Sequence, residues 1–158
     1  MPTRVAGPDG SHVRGIHHVG ITVADLDRSV AFYQDLLGME LLDLSEDEDV
    51  AAVVGIPGAR VRAADLNAGN GQVLELLQYK VPKAQATVPD PDTIGSCHVS
   101  FQVDDLSAAI ARLSRAGGGT MGDVAALTEG QVWTGCTVVY ARDPDGMIIE
   151  LMERGTDA

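Results

Sequence analysis

The chain has 158 residues, enough for one ordinary domain or for two small modules that share a core. Hydrophobic residues make up 45% of it and aromatics only 4%, so Val, Leu, Ile and Ala must fill that core. A formal net charge of −12 argues against nucleic acid, whose phosphates call for clustered Lys and Arg, and against anionic membrane surfaces. No apolar stretch is long enough to span a bilayer and the N-terminus carries no signal-peptide core, which predicts a cytoplasmic protein. Cys97 and Cys136 lack CxxC spacing, and both are expected to be buried, reduced thiols.

Residues 1–14 mix Pro, Gly and charge without periodicity and read as a flexible arm. A first module over 15–80 opens with an alternating strand at 15–23. Asp25 is placed to N-cap a helix in which Leu26, Val30, Tyr33 and Leu37 form one apolar face, and Gly38 can end it in a left-handed cap. Strands are expected at 39–44, 60–66 and 72–79, with Asn70-Gly71 turning between the last two. The acidic run Ser45–Asp49 reads as a solvated loop. Residues 81–95 are proline-rich and read as a linker. A second module over 96–154 repeats the plan. It has a strand at 97–103, a helix from Asp105 to Ala116 stopped by Gly117, Gly118 and Gly119, and strands near 120–123, 133–141 and 147–153. Asp143-Pro144-Asp145-Gly146 forms the last hairpin turn, and 155–158 is a short tail. The expected fold is therefore α+β, two tandem βαβββ modules.

The repeat is explicit in the residues. Pairing 18–38 with 98–118 at an offset of 80 gives seven identities: His18/His98, Val19/Val99, Val23/Val103, Asp25/Asp105, Leu26/Leu106, Ala31/Ala111 and Gly38/Gly118. VLELLQ, with Glu75, aligns with IIELME, with Glu150, at an offset of 75. Each half thus offers one His near its start and one Glu near its end. Strand parity puts His18, Gly20 and Thr22 on one face and His98, Ser100 and Gln102 on the corresponding face, opposite the apolar residues that belong under the helices. By the same parity His17 and Cys97 point away and are excluded as ligands.

Glu75 and Glu150 sit among Leu and Ile on strands expected to be central. A buried carboxylate without a partner costs several kcal/mol, roughly, after relaxation. No Lys or Arg lies within 72–79 or 147–153 to offset it. A lone strand histidine or glutamate usually has a structural role. The paired repeat is what makes His18, Glu75, His98 and Glu150 candidate ligands of one divalent metal ion.

The motifs HHVGITVADLDRSVAFYQDLLGMEL, VLELLQY, CHVSFQVDDLSAAIARL and DPDGMIIELME resemble the vicinal oxygen chelate superfamily over residues 15–154. That group includes glyoxalase I, methylmalonyl-CoA epimerase, extradiol dioxygenases and the bleomycin and fosfomycin resistance proteins. The resemblance implies curled mixed sheets enclosing a metal cavity, with His18, Glu75, His98 and Glu150 at the four ligand places. It also implies a glyoxalase-like or epimerase-like enzyme, an isomerase or lyase, with Glu150 or Glu75 as the catalytic base. Two imidazoles and two carboxylates suit Ni, Co, Mn, Mg or Zn. An Fe(II) dioxygenase ranks lower, because a fourth ligand at Glu75 fills a position that substrate or oxygen needs. A non-catalytic binding or resistance protein ranks lower still, because that class often lacks the ligand set. The expected partner is a small-molecule substrate, with the modules meeting either within one chain or across a homodimer; the homodimer is the expectation. Arg60 and Arg62, at i and i+2, share a face and could steer an anion or serve the surface. Tyr79 shares the parity of Glu75, Trp133 is expected to pack, and Asp143 and Asp145 need only turn roles.

Overall fold

A computed structural model describes residues 15–81 and 89–155. The expected arm at 1–14, residues 82–88 of the expected linker and residues 156–158 of the tail lie outside the described residues. The first module runs β1 (His18–Thr22), α1 (Leu26–Leu37), β2 (Leu41–Asp49), a short α2 (Ala51–Val54), β3 (Arg60–Asn67) and β4 (Val73–Tyr79). The second runs β5 (His98–Val103), α3 (Leu106–Arg115), β6 (Gly119–Thr120), β7 (Ala125–Ala126), β8 (Cys136–Arg142) and β9 (Ile148–Arg154). The sheets are ordered β1-β4-β3-β2 and β5-β9-β8-β6, with β7 also paired to β8. In each, the first strand runs parallel to the last and the rest are antiparallel.

Local chemistry explains the helix ends. Asp25 accepts a bond from Arg28 N at 3.0 Å, and Asp105 does the same for Ala108 N at 2.8 Å. A second acceptor reaches each helix from the last strand of its own sheet: Gln78 takes Leu26 N, and Glu153 takes Leu106 N. Gly38 caps α1 at φ 67. At the end of α3 the glycines divide the work. Gly117 supplies the left-handed turn at φ 88, whereas Gly118 is needed for room, since a Cβ there would run into Leu113 Cδ1.

The buried face of α1 is rotated from the expected stripe. Leu26, Ser29, Phe32, Tyr33 and Leu36 are buried, while Val30 and Leu37 are only partly so. The reason is that α1 packs on two surfaces, its own sheet and the other module. Tyr33 lies 6.2 Å, ring to ring, from Phe101 on β5, and its hydroxyl donates to Asp143 at 3.0 Å. α1 touches α3, and Arg112 Nε donates to the Leu36 carbonyl at 3.0 Å. Asp145 pairs with Arg28 and accepts from Ala24 N at 3.2 Å. The 143–146 turn therefore clamps the start of α1 besides closing its hairpin, a role not visible from its turn chemistry. One core results, built from the helix-side residues of both sheets, such as Ile21, Leu74 and Leu76 with Phe101, Ile149 and Leu151. Removing one such leucine costs about 2–5 kcal/mol.

Four expectations change. Ser45–Asp49 is not a loop but the second half of β2, the edge strand of its sheet. Its carboxylates are balanced across the sheet: Arg62 Nε reaches Glu46 at 2.7 Å, and Arg60 Nε and Lys80 Nζ both reach Asp47 at 2.6 Å. Arg60 and Lys80 hold the Asp47 carboxyl down at about 2. Arg62 also grips Asp27 on α1, at 3.1 Å. By register these cations lie on the helix side of the sheet, so Arg60 and Arg62 do not face His18 or Glu75. Trp133 does not pack; it is 62% exposed, in a turn at φ 65. Cys97 is exposed, and only Cys136 is buried. Among the described residues no helix is long and apolar enough to cross a membrane.

Candidate metal centre

The repeat in sequence is a repeat in register. His18 stands beside Val73 and Gly20 beside Glu75 in the first module; His98 stands beside Ile148 and Ser100 beside Glu150 in the second. On each β-strand pair the histidine and the glutamate share one face, two residues apart along the sheet. The residue between them is Gly20 in the first module, and its missing side chain lets the carboxylate lean over. A Cβ on Gly20 would lie only 3.1 Å from Glu75 Oε2. His18 Nε2 comes within 3.5 Å of Glu75 Oε2, and His98 Nε2 within 3.8 Å of Glu150 Oε2. The imidazoles are 45% and 41% exposed, the carboxylates 28% and 14%. Both glutamates lie on central strands, as expected, but neither is sealed from solvent.

The partners of the imidazoles differ. His17, set aside on parity, bends back so that its Nδ1 lies 2.9 Å from His18 Nδ1. One of those two nitrogens must carry the proton. The contact fixes His18 through Nδ1 and leaves Nε2 toward Glu75, the arrangement that orients ligating histidines. The HH doublet was the available signal for it. In the second module Tyr140 fills the supporting place. Its ring centroid is 4.8 Å from that of His98, and its hydroxyl is 3.4 Å from Nε2 and 3.5 Å from Nδ1. Nearly equidistant, the hydroxyl is committed to neither nitrogen. Burial, and then the charge of Glu150, raises the Tyr140 phenol above its ordinary value.

Each chain holds these groups as two pairs. Among the described residues no three His, Cys, Asp or Glu side chains converge as a metal cluster. The packing explains it: the helix sides of both sheets supply the shared core, so the opposite faces, which carry the pairs, turn outward. A groove of about 1070 Å³ does run between the modules, past Asn70, Gln72, Ser100, Gln102 and Arg112. None of the four candidate ligands lines it. The donors themselves are of the right kind, imidazole nitrogen beside carboxylate oxygen, for a divalent ion that accepts mixed N/O ligands. Two donors per pair are half a set.

Comparison with known proteins bears on the family. The family model of the glyoxalase/bleomycin resistance protein/dioxygenase superfamily matches residues 15–151. A 2-epi-5-epi-valiolone epimerase from Actinomyces is 32% identical over 143 residues, 87% of this chain and 78% of that protein. A lactoylglutathione lyase from Haemophilus influenzae is 31% identical over 139 residues, 87% of this chain and 91% of that one. The crystal structure of a glyoxalase family protein from Bacillus cereus superposes with a TM-score of 0.81 at 22% identity, covering 94% of this chain and 99% of that one. With both modules matched and their fold reproduced, the chain belongs to the glyoxalase/bleomycin resistance protein/dioxygenase superfamily.

Proposed function

We propose that the protein is a divalent-metal-dependent homodimeric enzyme that holds adjacent oxygens of a small substrate and moves a proton on the carbon beside them. The duplicated imidazole–carboxylate pair is the observation that carries this reading. One pair has too few donors for a firm site. His18 and Glu75 of one protomer would meet His98 and Glu150 of its partner, and a two-fold dimer would make that site twice. Outward-facing pairs in a single chain favour assembly across two chains over assembly within one.

Nickel, cobalt, manganese, magnesium or zinc suits the four donors, and when bound would supply Lewis acidity to a chelated carbonyl or hydroxyl. The rest falls to side chains. His18 stays in place through its contact with His17. Glu75 or Glu150 serves as the base, because a carboxylate can swing toward the substrate while its imidazole partner holds position. Returning the proton to the same carbon from the opposite side gives epimerisation, and returning it to the neighbouring carbon gives isomerisation. Relatives named as an epimerase and as a lactoylglutathione lyase support a reaction of this kind.

Metal content tests the reading. Protein purified without an affinity tag or chelator is analysed by plasma mass spectrometry and sized in solution. A dimer with about one equivalent of Ni, Co, Mn, Mg or Zn per chain is expected. Iron at that level would instead favour oxygen-dependent chemistry. A protein that neither contains nor takes up a divalent ion would refute the proposal.

A further inference from the structure

The chain has two asparagines, Asn67 and Asn70, and both are exposed where β3 turns into β4. They are held differently. Asn67 is followed by Ala68, and its side-chain oxygen accepts from Gly69 N at 3.0 Å. Asn70 is followed by Gly71, and the two sit at φ 51 and φ 75 in a turn that Gln72 N closes on the Gly69 carbonyl at 2.8 Å. Among the described residues nothing bonds the Asn70 side chain, and no acceptor takes the Gly71 N–H. With no Cβ on Gly71, nothing on that residue blocks its nitrogen from the Asn70 side-chain carbonyl.

The second module supplies the contrast. At the 75-residue offset of Glu75/Glu150, Asn70-Gly71 corresponds to Asp145-Gly146 and Ala68 to Asp143. Ala68 N reaches the Gln72 carbonyl at 3.0 Å and Asp143 N reaches that of Met147 at 3.1 Å, so the two turns occupy one place in the repeated fold. Asp145, however, is engaged. It pairs with Arg28 and accepts from Ala24 N, and the Gly146 N–H is taken by the Asp143 carbonyl at 3.0 Å. At the 80-residue offset Ala24 and Arg28 correspond to Asp104 and Ala108. Both of these line the groove that Asn70 lines, together with Glu40, Asp105 and Arg112. Arg112 gives its Nε to the Leu36 carbonyl. The first-module turn thus has alanine where the second meets arginine, with a carboxylate beside it.

We propose that Asn70 is a site of spontaneous modification, at which the neutral amide becomes a carboxylate that loosens the hairpin from α3. The Gly71 amide nitrogen, having lost its proton to hydroxide, bonds to the Asn70 side-chain carbonyl carbon. The bond from that carbon to the side-chain nitrogen breaks, and ammonia leaves. Water then opens the cyclic imide at either of its carbonyls. One opening leaves an aspartate, the other an isoaspartate, whose backbone runs through an extra carbon. Only water takes part, and the metal site proposed above is not involved. Either product adds one negative charge to a chain already at −12, in the groove lined by Asp104 and Asp105. Ala108 holds the place from which Arg28 pairs in the other module, so the new charge gains repulsion and no salt bridge. The isoaspartate also lengthens the turn that Ala68 N and Gln72 N close.

The test incubates the whole folded chain in mildly alkaline buffer made with heavy-oxygen water. Peptide mapping and an isoaspartate-specific methyl-transfer assay follow each position over time. Acid carrying one solvent oxygen should accumulate at position 70, in proportion to hydroxide, while Asn67 and Asp145 stay as they are. Gly71→Ala should slow the reaction at least about tenfold, a barrier higher by about 1.4 kcal/mol. Because φ 75 strains an alanine there, a second variant carries the structural half of the proposal. Asn70→Asp installs the charge without the reaction. It should lower the protection of the Ala68 and Gln72 amides from hydrogen exchange about two- to fivefold, the effect of one exposed charge contact, and Asp104→Asn in the same chain should restore it. An unaltered Asn70 in aged protein, or acid forming as fast at Asn67, overturns the site. Isoaspartate appearing as fast at Asp145 overturns the selection by structure, and unchanged protection in Asn70→Asp overturns the loosening.

Discussion

His18→Ala and His98→Ala, each inactive alone, should rescue one another when their subunits are mixed. In a site shared between chains, either variant removes one donor of four from both sites of its own dimer. Affinity for the metal should fall at least about a hundredfold, since even the outer partners of metal ligands cost about 10–100-fold when lost. In a mixed dimer the losses separate. One site collects both mutated positions, and the other joins the intact His18–Glu75 pair of the His98→Ala chain to the intact His98–Glu150 pair of the His18→Ala chain. Random exchange makes about half the dimers mixed, each with one whole site, so about a quarter of wild-type metal and activity should return. The assay is subunit exchange, checked by mass-labelled chains, followed by metal analysis and turnover. His18→Ala mixed with Glu75→Gln is the control. Both lesions lie in the first-module pair, every site keeps one, and nothing should return. Verified exchange without recovery in the first mixture, or equal recovery in the control, would show that the pairs do not meet across two chains.

Other expectations follow from particular contacts. Tyr33→Phe removes a buried donor from Asp143 and should cost about 1–3 kcal/mol in denaturant unfolding. Burial raises the Asp143 carboxyl above its ordinary value of 3.8, against the lowering effect of bonds from Met147 N, Tyr33 and Asp145 N. A raised native value means stability is full below 3.8 and declines as pH rises through the native value; losing the Tyr33 bond raises it further, so the penalty should be larger at neutral pH than in acid. Gly118→Ala would drive a Cβ to 2.8 Å from the Arg142 carbonyl oxygen as well as into Leu113, and should lower stability by about 1–3 kcal/mol. Gly20→Ala should spare the fold but push Glu75 off His18, visible as weaker metal uptake with nearly unchanged thermal unfolding. The Asp47 carboxyl should titrate by NMR at about 2 and move toward 3.8 in Lys80→Ala.

Much of the fold was legible because it is written twice. The 80-residue offset of His18/His98 and the 75-residue offset of Glu75/Glu150 become identical registers, Gly20 beside Glu75 and Ser100 beside Glu150. Asp25, Asp105, Gly38 and the 143–146 turn act locally, so their chemistry could be read in place. What could not be read depends on partners remote in sequence. A strand made of Ser45–Asp49 makes sense only once Arg60, Arg62 and Lys80 lie across from it. The rotation of α1 by about one position requires knowing that Phe101 and Asp143 come from the other module. Parity excluded His17 because alternation fixes where a side chain leaves the strand, not where a long ring ends. The four ligand candidates were visible as residues; their division into two outward pairs was not, because the helix-to-helix contact that turns them outward has no local signature.

The contact between α1 and α3 has a consequence for how the chain holds together. Neither module closes its own hydrophobic layer: Tyr33 finishes beneath Phe101, and the start of α1 is held by a turn from the far end of the chain. A solitary half would expose that layer and would bury it most readily against a twin. The tandem chain is in that sense a fused pair, and cutting the backbone between the modules should leave two fragments still gripping one another. Fusion also frees the halves from sameness. The 143–146 turn seats itself on α1, while the matching hairpin around Asn70 stands off from α3 and leaves a groove, a difference that two identical chains could not maintain.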